Sequence, residues 1–439
     1  MHFANSNALI ARAQNALAGG PATLSKSWDR YPYPISPAFL ESASGCYVWD
    51  VDGNKFLDTV AALGPILLGH CDPEVTAAVA QQASLTTSLT LCHALEVEVA
   101  EMLQGVSPWG TRARVRFGKD GMAATNAAVR LARYMTGNQH VLASGYHGGA
   151  DWYMSTTDKR GGILPVIGEY THQVPFGDYA AFDDALHDAR PSFAGMILEV
   201  PPRPWGEDVS VVADYLQHVR TEVQKHGGLL IFDEIVTGFR YPFAWQVYGC
   251  IPDILCLGKG IANGYPLSAV VGPEDLMQGF EGGNVFWSTT FGGDTIALAA
   301  AKATMRAMRQ RKNFARLYDA GIAYGDTLHN AIKTTTLPVE LLGNHARMIL
   351  RWDDAPGGVS GAALKTFWVA KNIERGVLYG GPIFPMVCWT ERAVTKLVDA
   401  ACEVFMLMDE AVRDGTLLAR LACAPITDVF NTRYREVRQ

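Results

Sequence analysis

The feature that most constrains the fold is a regular alternation of helical stretches and short apolar strands between about residue 91 and residue 300. Helical periodicity predicts helices at 93–104, 122–135, 178–188, 209–226 and 294–309. Short apolar runs predict strands at 113–117, 140–143, 195–199, 228–233, 253–257 and 267–272. Strands that alternate with helices usually pair in parallel, because each connection crosses one face of the sheet. The sequence therefore predicts an α/β fold with a mostly parallel central sheet flanked by helices.

Segments of mixed character on both sides of this region predict a second, smaller domain. At the N-terminal side, residues 6–18 show a helical pattern, and the turn Asp52-Gly53-Asn54 lies between alternating apolar positions that are typical of a hairpin. The C-terminal side predicts a helix near 312–333, strands near 338–352, and helices at 361–375 and 390–413. We expect a large domain at 71–325 and a smaller α+β domain built from 1–70 and 326–439.

Composition and charge exclude several classes of function. Of the 439 residues, 49% are apolar and only 18% are charged, which is consistent with a sizeable core and an oligomer. The net charge is −7 and no long basic block is present, so we expect neither nucleic acid nor an acidic membrane as partner. No apolar run is long enough to span a bilayer, and residues 1–6 do not resemble the start of a signal peptide.

Cysteine usage points to a reducing compartment. The eight cysteines form no C-x-x-C pair, and most have apolar neighbours. Cys71 lies beside His70 and Cys92 beside His93, but this spacing matches no zinc pattern. We therefore expect a cytoplasmic protein without a metal site.

Two apolar segments each end in a charged residue. The first, 228–235, reads as a buried strand that carries Asp233 at its end. The second, 254–260, ends in Lys259. A buried carboxylate or ammonium costs several kcal/mol unless it is paired. A carboxylate and an amine at neighbouring strand ends suit pyridoxal phosphate, whose aldehyde condenses with lysine and whose ring nitrogen pairs with aspartate. A structural salt bridge at the sheet edge is the alternative, and these two segments alone do not decide between them.

Three glycine-containing turns accompany these strand ends. Gly118–Met122 lies between a predicted strand and a helix, where free amides attract an anion, although many such turns have no ligand. Tyr146, within Gly145–Gly149, is placed to stack on a flat cofactor, with an ordinary surface loop as the alternative. The hydroxyls of 288–290 precede a helix and can bind the same phosphate, whereas Asp294 serves as a helix cap in either case.

The order of these motifs is similar to that of a known family. Residues 232–240, Phe-Asp-Glu-Ile-Val-Thr-Gly-Phe-Arg, resemble the Asp-Glu-Val-x-Thr-Gly-Phe-Arg motif of class III aminotransferases. Residues 257–266 resemble the lysine motif of the same class. Within the class, the stretches 18–20, 49–54, 68–70 and 128–133 are most similar to glutamate-1-semialdehyde aminomutases. The resemblance covers roughly residues 6 to 410, and it implies the fold-type I architecture and pyridoxal 5'-phosphate as cofactor.

The resemblance also implies a role for each matching residue. Lys259 would hold the cofactor as an aldimine and move the substrate proton, and Asp233 would pair with the ring nitrogen. Ile235 would pack on one ring face and Tyr146 on the other. The remaining residues that the resemblance assigns to the cofactor are His147 beside Tyr146, Gly121 and Met122 through their amides, and Thr290. Thr290 would reach the cofactor of the neighbouring subunit, so the resemblance implies a homodimer with shared active sites.

Departures from the family pattern fall in regions that shape a substrate pocket. The carboxylate-binding arginine of the aminomutases falls at about Lys26, which keeps the charge but loses the bidentate fork. A glutamate that they use late in the chain falls near Gly381, and the stretch after Glu199 gains Arg203. In the phosphate turn, Met122 replaces a hydroxyl donor. The substrate-pocket candidates are Lys26, Trp28, Glu199 and Arg203.

The expected activity is transamination of a small amine or amino acid. An aminomutase, racemase or decarboxylase that uses the same cofactor with an altered substrate is the alternative, since such enzymes need no second substrate. A non-catalytic protein that has kept the fold is a third possibility, against which Lys259 and Asp233 argue.

Overall fold

The computed structural model describes residues 1–201 and 203–426. Its helices are α1 (Ala4–Ala16), α2 (Pro73–Leu85), α3 (Ala94–Gln104), α4 (Gly121–Thr136), α5 (Asp151–Met154), α6 (Pro165–Gly168), α7 (Tyr179–Ala189), α8 (Val209–Lys225), α9 (Ala244–Tyr248), α10 (Glu274–Met277), α11 (Thr295–Arg309), α12 (Arg311–Lys333), α13 (Gly361–Glu374), α14 (Glu391–Arg413) and α15 (Leu417–Arg420). Its strands are β1 (Leu40–Ser44), β2 (Tyr47–Asp50), β3 (Lys55–Asp58), β4 (Ala113–Gly118), β5 (His140–Ser144), β6 (Thr171–Gln173), β7 (Phe193–Leu198), β8 (Leu229–Glu234), β9 (Ile254–Leu257), β10 (Ser268–Pro273), β11 (Val339–Asn344), β12 (Arg347–Trp352) and β13 (Val377–Leu378).

A seven-stranded sheet forms the centre of the larger part of the chain. The strand order is β4-β10-β9-β8-β7-β5-β6, and the pairs from β9 to β6 are all parallel. Strand β10 pairs antiparallel with both β4 and β9. All six residues of β7 and all four of β9 are buried, as expected for a sheet covered on both faces. The prediction of an α/β fold with a mostly parallel sheet is confirmed.

Helix α4 begins and ends where its sequence predicts. The Asp120 carboxylate accepts a hydrogen bond from the Ala123 amide at 2.8 Å, which caps the first turn. Gly137 ends the helix in the left-handed region, with φ of 70°. The apolar face of α4 packs on β7, β8, β9 and β10. This packing fixes the first turn of α4 relative to the strand ends.

The contacts divide the described chain into two compact units. One consists of residues 1–72, 203–206 and 311–426, and the other of residues 73–201 and 207–310. The expected large domain, 71–325, therefore differs at its C-terminal end, because α12 packs against α14 and β11. The insertion at 203–206 joins the smaller unit because the Gly343 amide donates to the Arg203 carbonyl oxygen at 2.5 Å.

The smaller unit contains two sheets. Strands β1, β2, β3 and β13 form a four-stranded sheet, and β11 pairs with β12. The predicted hairpin is formed by β2 and β3, with Gly53 at φ of 82° in its turn. The Asp52 carboxylate of the same turn accepts hydrogen bonds from the amides of Asn5 and Ser6 at 2.7 and 2.9 Å, which anchors the start of α1. Strands β1 and β13, like β6 in the larger unit, are not predicted by the sequence.

Other expectations concern the surface and the cysteines. Among the described helices, none is long and apolar enough to cross a membrane. All eight cysteines are free, and Cys71 and Cys92 are exposed. Within the described residues no cluster of side chains is suited to hold a metal ion.

Glu234 ends β8 on the sheet face opposite Asp233 and holds the chain that follows. Its side chain accepts hydrogen bonds from the Ala244 amide at 2.7 Å and the Thr237 hydroxyl at 3.0 Å. Burial raises the pKa of Glu234 to about 7, and the neighbouring Asp233 adds to this effect.

The raised pKa of Glu234 predicts a pH-dependent stability. The folded state binds this proton more tightly than the unfolded state, so its stabilisation is present below about pH 4.5 and is lost as pH rises through about 7. Glu234→Gln keeps an acceptor for Ala244 without the charge. We expect the stability of this variant relative to wild type to rise by roughly 3 kcal/mol between acidic and mildly alkaline pH. Denaturant unfolding of both proteins at several pH values measures this difference in the free energy of unfolding. If the free energies of the two proteins change in parallel with pH, the raised pKa of Glu234 is contradicted.

Candidate active site

The Asp233 carboxylate lies at the end of β8 and is almost completely buried, with 5% of the residue exposed. One oxygen accepts a hydrogen bond from the Ile235 amide at 3.1 Å, and the other lies 2.8 Å from Nδ1 of His147. In the parallel pair of β8 and β9, Asp233 lies opposite Cys256. Burial, with a contribution from Asp233, raises the pKa of the Cys256 thiol, which keeps that thiol neutral beside the carboxylate.

His147 supports the Asp233 carboxylate from the adjacent loop. Its Nε2 lies 3.1 Å from the carbonyl oxygen of Ser144, so both ring nitrogens face oxygen acceptors. The ring is thus held at both nitrogens, by the Asp233 carboxylate and by the Ser144 carbonyl oxygen. His147 is 1% exposed, so the contact between its ring and the Asp233 carboxylate is buried.

Three residues that the sequence does not single out fix His147. Trp152 stacks on its ring with centroids 6.0 Å apart, and Tyr153 meets it edge-on at 5.3 Å. The Thr125 hydroxyl of α4 donates to the His147 carbonyl oxygen at 2.8 Å. In the sequence, Trp152 and Tyr153 follow shortly after the loop Gly145–Gly149. This local pattern does not indicate that either ring contacts His147.

Ile235 lies between two glycines that are distant in sequence. A Cβ atom at Gly121 would lie 2.9 Å from Cγ2 of Ile235, and one at Gly258 would lie 3.0 Å from its Cδ1. Both positions therefore favour glycine, because a side chain would displace Ile235. The first turn of α4, the residue after β8 and the residue before Lys259 consequently meet around one side chain.

Lys259 follows β9 and Gly258 in an uncommon backbone conformation. Its φ is 42°, in the left-handed region. A non-glycine residue in that region costs of order 1–3 kcal/mol, which the surrounding structure must offset. The short helical turn Lys259–Ala262 begins here, and its other residues, from Gly260 onward, are buried. The rest of this turn thus holds the strained, half-buried lysine in place.

The turn between β4 and α4 presents amide groups. Within the described part of the chain, the amides of Gly121 and Met122 have no acceptor, whereas Asp120 occupies the Ala123 amide. The Met122 side chain is 43% exposed and lies against Gly148, whose added Cβ would be 2.9 Å from that of Met122. Met122 therefore has a packing role in addition to any contribution of its amide.

Tyr146 and Glu199 lie in the same unit as these groups. Tyr146 packs against the main apolar core and contacts Tyr153 edge-on at 5.7 Å. Glu199 is 4% exposed and follows β7, where its amide donates to the Ser144 carbonyl oxygen at 2.9 Å. A Cβ at Gly145 would lie 2.9 Å from that of Glu199. The structure thus brings Glu199 to the loop that carries Tyr146 and His147.

The other predicted residues are placed differently. Thr290 is exposed in the turn that precedes α11. In the smaller unit, Lys26 is exposed, and the ring of Trp28 packs against Phe39 at 6.0 Å. Arg203 also belongs to that unit, where its carbonyl oxygen pairs with β11. The cofactor-binding role of Thr290 and the substrate-binding roles of Lys26, Trp28 and Arg203 stay predictions.

The groups of the larger unit fit pyridoxal phosphate. Asp233 uses two of roughly four acceptor positions of a carboxylate, so it can accept a further hydrogen bond from a protonated ring nitrogen. The free amides at Gly121 and Met122 suit a phosphate. Lys259 supplies the amine that an aldehyde requires, and Gly121 and Gly258 leave room for the Ile235 side chain between these groups.

Comparisons with known proteins agree with this fit. A family model described as Aminotransferase class-III matches residues 31–338. Glutamate-1-semialdehyde 2,1-aminomutase of Desulfotalea psychrophila (strain LSv54 / DSM 12343) is 33% identical over 368 residues, which cover 78% of this chain and 81% of that protein. The enzyme of the same name from Myxococcus xanthus (strain DK1622) is 32% identical over 353 residues, with 77% and 81% covered.

Solved structures that resemble this chain also contain pyridoxal phosphate. The PLP internal aldimine form of the FumI protein of Sphingopyxis sp. MTA144 has a TM-score of 0.84 and 25% identity, covering 96% of this chain and 99% of that one. A transaminase with PLP bound has a TM-score of 0.85 and 25% identity, covering 94% of this chain and 100% of that one. The chain therefore belongs to the class III aminotransferases, a family of fold-type I enzymes whose cofactor is pyridoxal 5'-phosphate.

Proposed function

We propose that the protein catalyses transamination, transferring the amino group of a small amine or amino acid to a second carbonyl compound. The observation that carries the proposal is that Gly121 and Gly258, the residue before Lys259, meet at the Ile235 side chain, while the Ile235 amide and His147 pair with the buried Asp233 carboxylate. This arrangement supports a cofactor held at three points: its ring nitrogen, its phosphate and its aldehyde.

Each residue has a distinct role in this proposal. Pyridoxal phosphate, when bound, supplies an electron-withdrawing ring conjugated to the substrate amine. Asp233 would keep a proton on the ring nitrogen, and His147 would orient the carboxylate through the contact at Nδ1. Lys259 would take a proton from the substrate carbon that bears the amine and deliver it to the cofactor carbon that derives from the aldehyde, which is general acid–base catalysis by a positioned amine. Ile235 and Tyr146 fix the plane of the ring.

Two departures from the aminomutase pattern favour a different substrate. Lys26 offers one ammonium where a planar arginine would bind a carboxylate with two parallel hydrogen bonds. Gly381 has no side chain where that pattern has glutamate. An aminomutase reaction remains the second candidate because both curated relatives named above are glutamate-1-semialdehyde aminomutases. A cytoplasmic location stays a prediction from the sequence.

A screen of amine donors tests the reaction. We expect a suitable donor alone to convert the bound cofactor to its amino form, seen as a change in absorbance, and a keto acid to reverse it. Lys259→Ala should abolish both changes. Carbon dioxide is measured in parallel. Isomerisation of a single substrate without a keto acid would contradict transamination in favour of an aminomutase or racemase, and carbon dioxide release would indicate a decarboxylase.

Asp233→Asn tests the electrostatic role of the carboxylate. This variant keeps the shape but removes the buried negative charge, so we expect turnover to fall by at least about a hundredfold. Cofactor content and thermal unfolding serve as checks that the protein is intact. Glu234→Gln is the matched control, because it neutralises the adjacent carboxyl group on the opposite face of β8. Equal turnover in the two variants would refute the role of Asp233.

We also propose that the enzyme is a homodimer in which Thr290 reaches the partner's cofactor. Large apolar side chains are exposed on two neighbouring segments: Leu85, Leu89, Leu91, Phe286 and Phe291. The Thr295 hydroxyl donates to the Thr86 carbonyl oxygen at 2.7 Å, which ties the first segment to the start of α11. An exposed apolar surface of this kind is typical of an interface, and it includes the turn that carries Thr290.

Leu91→Asp tests the dimer. The Leu91 side chain is 83% exposed, so a charge there should leave the fold intact but be costly inside an interface. We expect sedimentation velocity to show a shift toward monomer, with weaker cofactor retention at low protein concentration. Leu418→Asp, at a 49% exposed position of the smaller unit, is the control and should remain dimeric. A wild-type monomer, or a variant that stays dimeric, would contradict this interface.

A further inference from the structure

The segment from Phe286 to Asp294, which carries Thr290, is held by three cationic side chains of the β4–α4 region. Arg130 of α4 donates to the Phe286 carbonyl oxygen at 2.7 Å. Arg116 of β4 donates to the Trp287 carbonyl oxygen at 2.8 Å. Between them in sequence, Nζ of Lys119 lies 3.7 Å from a carboxylate oxygen of Asp294. We call these three contacts the clamp.

The clamp acts on the phosphate turn itself. A Cβ at Gly118 would lie 2.4 Å from the Trp287 ring, so the end of β4 and the clamped segment are in direct contact. Lys119 follows Gly118 and precedes the Asp120 cap of α4, two residues before the first free amide at Gly121. A displacement of the segment from Phe286 to Asp294 would therefore reach the phosphate turn through Lys119.

Lys119 and Asp294 differ from an ordinary surface ion pair. The Lys119 ammonium is shielded from solvent and has no hydrogen-bond partner in the described chain, although 23% of its side chain is exposed. The other oxygen of Asp294 caps α11 by accepting from the Ala297 amide at 2.8 Å. Of the other carboxylates nearby, Asp120 accepts from the Ala123 amide, and Glu96 lies beside Gly293, where an added Cβ would meet its carboxylate. The attraction between Lys119 and Asp294 thus depends on charge across a poorly solvated gap.

We propose that Lys119 and Asp294 are positioning residues whose ion pair aligns the Thr290 turn with the phosphate turn, so that the two phosphate-binding elements are ordered together. The inference rests on the proposed function, which assigns both elements to cofactor phosphates. Because the Thr290 turn serves the partner's site, the pair couples the phosphate turn of one site to the other site. Such a coupling acts in both directions, since ordering either element stabilises the other.

A double-mutant cycle on cofactor affinity tests this coupling. Wild type, Lys119→Met, Asp294→Asn and the double variant are freed of cofactor and titrated with pyridoxal phosphate, with binding followed by absorbance. Asp294→Asn retains an oxygen that can cap α11. We expect each single change to raise the dissociation constant roughly tenfold, and the double variant to be no weaker than the weaker single variant. Lys119→Arg, which keeps the charge, should remain close to wild type.

Control variants separate this role from general damage. Lys302→Met and Glu98→Gln remove another ion pair of α11, between Lys302 and Glu98, and should leave the affinity unchanged. Thermal unfolding of the cofactor-free proteins should differ little between the four members of the cycle. These two results, together with the cycle, would support a positioning role.

Two outcomes would overturn the inference while leaving the proposed function intact. If Lys119→Met weakens binding and Asp294→Asn does not, Lys119 contacts the phosphate directly. If the effects of the two changes add, the residues act independently. If wild type binds no pyridoxal phosphate, the inference and the proposed function fail together.

Discussion

The buried carboxylate of Asp233 is the constraint on which the rest of the site depends. A charge at the end of a central parallel strand is tolerated only when nearby groups neutralise it. The Ile235 amide and His147 supply this, and His147 in turn needs Thr125, Trp152 and Tyr153 to hold its ring. Residues spread over more than a hundred positions of the sequence thus hold one carboxylate in place.

The topology of the sheet brings these residues together. Strands β5, β7, β8 and β9 are parallel neighbours, so the loops that follow them emerge at one edge. His147 follows β5, Glu199 follows β7, Asp233 is the last residue but one of β8, and Lys259 follows β9. The first turn of α4 reaches the same place because α4 packs across four of the strands. These side chains are therefore positioned by backbone pairing, and Ile235 fills the space between Gly121 and Gly258.

The sequence predicts the elements better than the contacts between them. The long helices and the buried strands were predictable because their periodicity extends over many residues and their ends carry caps such as Asp120 and Gly137. Strand β6 has three residues and β13 has two, too few for a pattern. The pairing of His147 with Asp233 and the clamp around Phe286–Asp294 join distant positions, and local patterns contain no information about which distant residues meet.

The two compact units differ in how they relate to the family pattern. Every residue assigned to the cofactor lies in the unit formed by 73–201 and 207–310, and there the motifs are kept, with Met122 as the main exception. Lys26, Arg203 and Gly381, which depart from the aminomutase pattern, lie in the other unit. Residues that hold an ionised cofactor are constrained by buried charge, where a single unpaired group is costly. A change in a residue that recognises the substrate does not carry this cost of an unpaired buried charge. An exposed side chain such as Lys26 remains solvated when its partner is lost. This difference in cost explains why the residues assigned to the cofactor follow the family pattern while those assigned to the substrate depart from it.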